Sequence, residues 1–153
     1  QRTSLRVGAY HFFSYDSAGE TQAENFIRTV PLVENALPPV VDIEFYGNKA
    51  ANPPPRSEVV PILDALLTGL EQHYGKKPIL YATAKSYRLY LQDGYPDNPI
   101  WIRNIFTAPS LPDRREWLFW QYSNRGRLEG YQGREKFIDL NVYGGTAEEF
   151  RDL

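Results

Sequence analysis

Apolar and polar positions alternate through Val40-Val41-Asp42-Ile43-Glu44-Phe45, the two-residue period of a β-strand. Val41, Ile43 and Phe45 then share one face, and Val40, Asp42 and Glu44 share the other. Pro38-Pro39 leads into this stretch and Tyr46-Gly47-Asn48 leads out of it. The same period predicts a strand over 6–13, with Val7, Ala9 and His11 on one face and Gly8, Tyr10 and Phe12 on the other. Ala23, Phe26, Ile27 and Val30 recur at helical spacing and predict a helix from Gly19 to Val30, ended by Pro31. A second helix carries Val59, Leu63, Leu66, Leu67, Leu70 and Tyr74 on one stripe. Ser57 is its expected N-cap, Pro61 falls in its first turn, and Gly75 stops it. Strands follow at 79–82, 99–102, 117–122 and 137–142, with a short helix near 85–92. Asn124-Arg125-Gly126 reads as a turn, and Thr146 as the cap of a short terminal helix. Strand–helix alternation over the first half predicts a parallel sheet with right-handed crossovers. The later strands, with little between them, predict an irregular closure.

The acids at 42 and 44 change the picture. Carboxylates on one face of an otherwise apolar strand oppose burial unless they are used or paired. They fall at the C-terminal end of their strand, where α/β folds place active sites. Alternate strand residues lie roughly 6.7 Å apart at Cα. Two charges at that distance repel by about 2.5 kcal/mol at an effective dielectric of 20, enough to keep one acid protonated near neutrality while its neighbour is ionised. Glycoside hydrolysis needs such a pair. A third acid, Asp139, lies in Ile138-Asp139-Leu140-Asn141-Val142 and shares its polar face with Asn141. The competing reading is an edge strand with its polar side to solvent.

Composition removes several other chemistries. The chain of 153 residues is 42% hydrophobic and 24% charged, with a formal charge of −2, so nothing suggests a nucleic-acid partner. No apolar run reaches the length of a membrane span. Cysteine is absent, which excludes disulfides, thiolate zinc and Cys nucleophiles. Two histidines, His11 and His73, make neither a metal site nor a cofactor an expectation. His11 is expected near the rim of Asp42 and Glu44, as a carboxylate-orienting group or a satisfied core side chain. Eleven Tyr, eight Phe and three Trp are many for this length, and Tyr10, Tyr81, Trp101, Trp120 and Tyr122 fall in strands where some can line a cleft. Methionine is absent, so the chain is expected to be the remainder of a longer protein or a processed form.

Taken in order, Gly8-Ala9-Tyr10-His11-Phe12, Val41-Asp42-Ile43-Glu44, Tyr74-Gly75-Lys76-Lys77-Pro78-Ile79-Leu80-Tyr81, Trp101-Ile102, Trp120-Gln121-Tyr122-Ser123 and Asp139-Leu140-Asn141 resemble the Chalaropsis-type lysozymes of glycoside hydrolase family 25. The resemblance spans essentially residues 1–153. It implies an α/β fold, a modified TIM-like β/α barrel, and hydrolysis of the β-1,4 bond between N-acetylmuramic acid and N-acetylglucosamine in peptidoglycan. It implies Glu44 as general acid, with Asp42 and Asp139 orienting the N-acetyl group or stabilising an oxocarbenium-like transition state. Tyr10, His11, Tyr81, Trp101, Gln121 and Tyr122 are then expected to bind substrate. The family's opening Gly-Ile-Asp-x-Ser-like strand is missing, so the barrel is expected to be incomplete by about two β/α units, roughly 60 residues. Unpaired edges would then invite strand exchange between copies. A non-catalytic glycan-binding relative, or an inactive fragment, is the alternative reading.

Overall fold

A computed structural model describes residues 5–153. The elements run β1 (Tyr10–Phe12), α1 (Gly19–Thr29), β2 (Val40–Ile43), α2 (Arg56–Tyr74), β3 (Ile79–Thr83), α3 (Ala84–Ser86), a π-helical turn (Tyr87–Leu91), β4 (Ile100–Arg103), β5 (Phe119–Gly126), β6 (Ile138–Tyr143) and α4 (Ala147–Asp152). All six strands form one sheet in sequence order. The first five are parallel and β6 is antiparallel to β5. This is a curled half-barrel, the architecture of an incomplete TIM-like barrel, with β1 and β6 as its edges among the described residues.

Register decides what each face holds. His11, Val41, Leu80 and Ile100 are aligned across the sheet, as are Ile43, Ala82, Ile102 and Trp120. These rows face the helices and, His11 aside, pack into the main core with Phe26, Leu63, Leu66 and Leu70. The opposite, concave face carries the row Phe12, Asp42, Tyr81, Trp101 and Phe119. Every β2 residue is therefore buried or half-buried, with Val41 and Ile43 backed by helices and Val40 and Asp42 on the concave side.

Several boundaries differ from the sequence expectation. α2 begins at Arg56, with extended Pro55 as N-cap rather than Ser57. The Pro55 carbonyl accepts from the N–H groups of Glu58 and Val59, so the stiff triproline starts the helix one residue after it ends. Pro61 consequently sits in the second turn, not the first. Gly75, at φ 65°, ends the helix as expected. Asn124-Arg125-Gly126 is not a turn: β5 continues to Gly126, which pairs with Ile138. Two register irregularities absorb the misfit, and the pairing with β6 outweighs the local turn preference. β1 is shorter than the predicted strand over 6–13. Thr146 caps α4 through a capping box with Glu149.

Candidate active site

Asp42 lies on the concave face of β2, and Glu44 follows two positions later, just past the strand's end. Asp139 reaches the same cleft from β6. The three acids line one opening of about 460 Å3 together with Tyr10, Phe12, Val40, Tyr81, Trp101 and Gln121. A second opening, of about 810 Å3, shares Glu44, Tyr81, Gln121 and Asp139 and continues along the β5–β6 arm past Arg103, Lys136 and Phe137. The parallel strands deliver these groups at their C-terminal ends, the position at which barrel folds assemble chemistry.

Hydrogen bonds fix the walls. The Tyr81 hydroxyl donates to Gln121 Oε1 at 2.6 Å, and Gln121 is buried. The Trp101 ring stands edge-on to Tyr81 at 5.3 Å, and its Nε1 donates to Asn141 Oδ1 at 2.9 Å. Burial, and then the Glu44 and Asp42 charges, hold the Tyr81 hydroxyl well above its usual range, so it is a neutral donor. Tyr10 and Phe12 remain exposed at the open side, with the Phe12 ring 5.9 Å from that of Tyr46.

Burial first, and the Glu44 charge second, push the Asp42 carboxyl up to about 7. One Asp42 oxygen is buried without a hydrogen-bond partner, a costly arrangement for a charged group. Burial is thus the larger cause of the raised Asp42 value, and the repulsion on which the sequence expectation rested is the smaller. Tyr15, packed nearby under Phe45, also keeps a buried hydroxyl without a partner.

Two of the expected substrate contacts lie elsewhere. His11 turns to the helix side, where its Nε2 is 2.9 Å from Gln22 Oε1 and its ring meets Phe26 edge-on. Gln22 Nε2 donates to the Ser14 and Ser17 carbonyls, so its oxygen faces His11 and the imidazole Nε2 carries the proton. Tyr122 lies on the side of Trp120, 5.9 Å from that ring, because adjacent strand residues cannot both face one cleft. Arg103 was not singled out from the sequence, yet it lines the longer opening. Its signal was the alternation itself, two residues after Trp101 on the same face.

Comparison with known proteins bears on this geometry. The profile of Glycosyl hydrolases family 25 matches residues 1–131. The uncharacterized protein YegX of Escherichia coli is 33% identical over 151 residues, 99% of this chain and 53% of the relative. The chain thus spans about half the length of the curated relatives it matches. A family 25 glycosyl hydrolase from Bacillus anthracis is 61% identical, with a TM-score of 0.93 over 99% of this chain and 70% of that one. A bacterial lysozyme from Streptomyces coelicolor shares the fold at a TM-score of 0.77 and 23% identity, over 94% of this chain and 70% of its own. Among the described residues, no helix is long and apolar enough to cross a membrane.

Proposed function

The chain belongs to Glycosyl hydrolases family 25, and from that premise we propose that residues 1–153 are catalytic-domain sequence of a muramidase that hydrolyses the β-1,4 bond between N-acetylmuramic acid and N-acetylglucosamine. The observation that carries this reading is the meeting of Asp42, Glu44 and Asp139 around one aromatic-walled cleft. Glu44, nearer the strand end than Asp42, delivers the proton to the leaving glycosidic oxygen. Asp42, protonated through much of the neutral range, donates a hydrogen bond to the substrate's N-acetyl carbonyl. Asp139 faces the sugar as the anionic partner of the developing oxocarbenium ion. Tyr10 and Trp101 supply ring faces for the sugars, and Tyr81 a neutral donor. Its substrate partner is the peptidoglycan glycan strand, and open edges at β1 and β6 suit exchange of strands between copies.

Hydrolysis of purified peptidoglycan tests the reading. Glu44→Gln retains the circular dichroism of the parent and loses about 10² to 10⁴ in rate, the scale of general acid catalysis. Turnover near that of the parent in a folded Glu44→Gln protein would remove Glu44 from the acid role.

A further inference from the structure

Cleavage of a neutral sugar bond does not call for the charges carried by the β5–β6 arm. Arg125, Arg127 and Lys136 all approach the ring of Phe137, at 5.6, 5.5 and 5.6 Å from its centroid. Each contact is favourable alone, but three like charges around one ring repel each other. Among the described residues the ion pairs are Lys49–Asp16 and Lys77–Glu71, so no carboxylate neutralises the three. Glu129 and Glu135 belong to the same arm without pairing to them. The sign is a local reversal in a chain whose formal charge is −2. Phe137, Lys136 and Glu135 line the same opening as Glu44 and Asp139, and Arg125 and Arg127 stand behind it against the Phe137 ring. Phe137 immediately precedes β6 and lies two residues before Asp139, roughly 7 Å at Cα for extended chain.

We propose that this cationic end of the cleft, floored by Phe137, binds the carboxylates of the peptide stem borne by the muramic lactyl group. The inference rests on the muramidase reading above and names a selectivity within it: stem-bearing glycan is preferred to glycan stripped of its peptides. With its lactyl groups amide-linked, the glycan backbone itself offers no fixed charge to three unpaired cations, whereas the stem does. A stem leaves the ring that must lie beside Asp139, and one to two extended residues cover the roughly 7 Å to the arm. The Asp139 carboxylate repels an anionic stem, and the arm attracts it. Together they orient the strand, with the neutral sugar over the carboxylates and the peptide over the cations.

The probes are the soluble disaccharide of N-acetylglucosamine and N-acetylmuramic acid with its tetrapeptide, and the same disaccharide with its lactyl carboxyl capped as the methylamide. Each is titrated calorimetrically into the Glu44→Gln protein, where turnover does not interfere. The peptide-bearing form is expected to bind about tenfold tighter, the scale of three exposed charge contacts. That preference should shrink toward one in Arg125→Gln/Arg127→Gln/Lys136→Gln, and also at high salt in the protein with its arm intact. Equal affinities for the two probes, or a preference that survives the triple substitution, would overturn the proposal. Displacement of the peptide-bearing probe by millimolar inorganic phosphate would assign the arm to phosphodiester polymers and overturn it as well. If neither disaccharide binds, the muramidase reading fails and takes this inference with it, whereas equal binding of both sinks the inference alone.

Discussion

Asp42 is where pH acts on this molecule. Its folded-state pKa is raised from 3.8 to about 7, so the native state favours the protonated carboxyl. The stabilisation is full below the unfolded value, near 4, and is lost as pH rises through about 7. Asp42→Asn removes the cost of ionising a half-buried acid. It is therefore expected to gain about 2 kcal/mol over the parent at pH 8, and much less at pH 4, after discounting for partial exposure. Urea unfolding at the two pH values measures this, and an equal gain at both would contradict it. Activity has the opposite stake, because the hydrogen bond proposed to the N-acetyl group needs the proton. The rate is expected to fall along an alkaline limb near pH 7 that Asp42→Asn moves or removes. Asp139→Asn should lower the rate and shift the profile through its charge. His11 gives the contrasting prediction. Its Gln22 bond ties β1 to α1, so His11→Leu should cost about 1–2 kcal/mol of stability while leaving the KM for glycan in place. A rise in KM without loss of stability would return His11 to the cleft.

Elements hold the cleft by close contact between α1 and α2 behind the sheet. Gly19 opens α1 against α2, and a Cβ there would land on the Ile62 carbonyl oxygen, with Leu66 N 2.8 Å away. At Gly69 a Cβ would come within 2.8 Å of the Ala23 Cβ. Backbone cannot yield as a side-chain tip can, so Gly19→Ala forces the helices apart, at an expected cost of about 2–3 kcal/mol. Thermal unfolding checks this, and an unchanged midpoint would mean that α1 shifts freely. Because β1 and β2 rest on these helices, the same substitution should lower catalysis more than binding. On the other face, the Trp101–Asn141 bond couples β4 to β6 across β5. It holds the polar side of the last strand toward the cleft.

The whole sheet is open among the described residues. β1 exposes Tyr10 and Phe12 at one edge, and an apolar hollow of about 340 Å3 lies beside it, bordered by Val7, Ala9, Phe26, Val30 and Leu37. Unpaired strand edges next to apolar surface favour association. A polypeptide of residues 1–153 is therefore expected to form concentration-dependent oligomers in light scattering, with β1 and β6 more protected from hydrogen exchange as they form. A monomer at all concentrations that melts cooperatively and digests peptidoglycan would refute this.

Local pattern by itself determined which way side chains point. Alternation in 40–45 placed Asp42 and Glu44 together, alternation in 138–142 paired Asp139 with Asn141, and Gly75 and Thr146 marked helix ends correctly. Those features depend only on neighbours along the chain, which is why they were legible. Alternation also puts Tyr122 and Gln121 on opposite faces of β5. Tertiary structure decided the rest. Ladder pairing carried β5 through an apparent turn at 124–126, and Gln22 drew His11 onto the helix side. The β5–β6 hairpin gathered Arg125, Arg127 and Lys136 around Phe137. Burial raised the pKa of Asp42. Desolvation depends on everything packed around a group, and residues distant in sequence supply that packing, so no spacing along the chain encodes it.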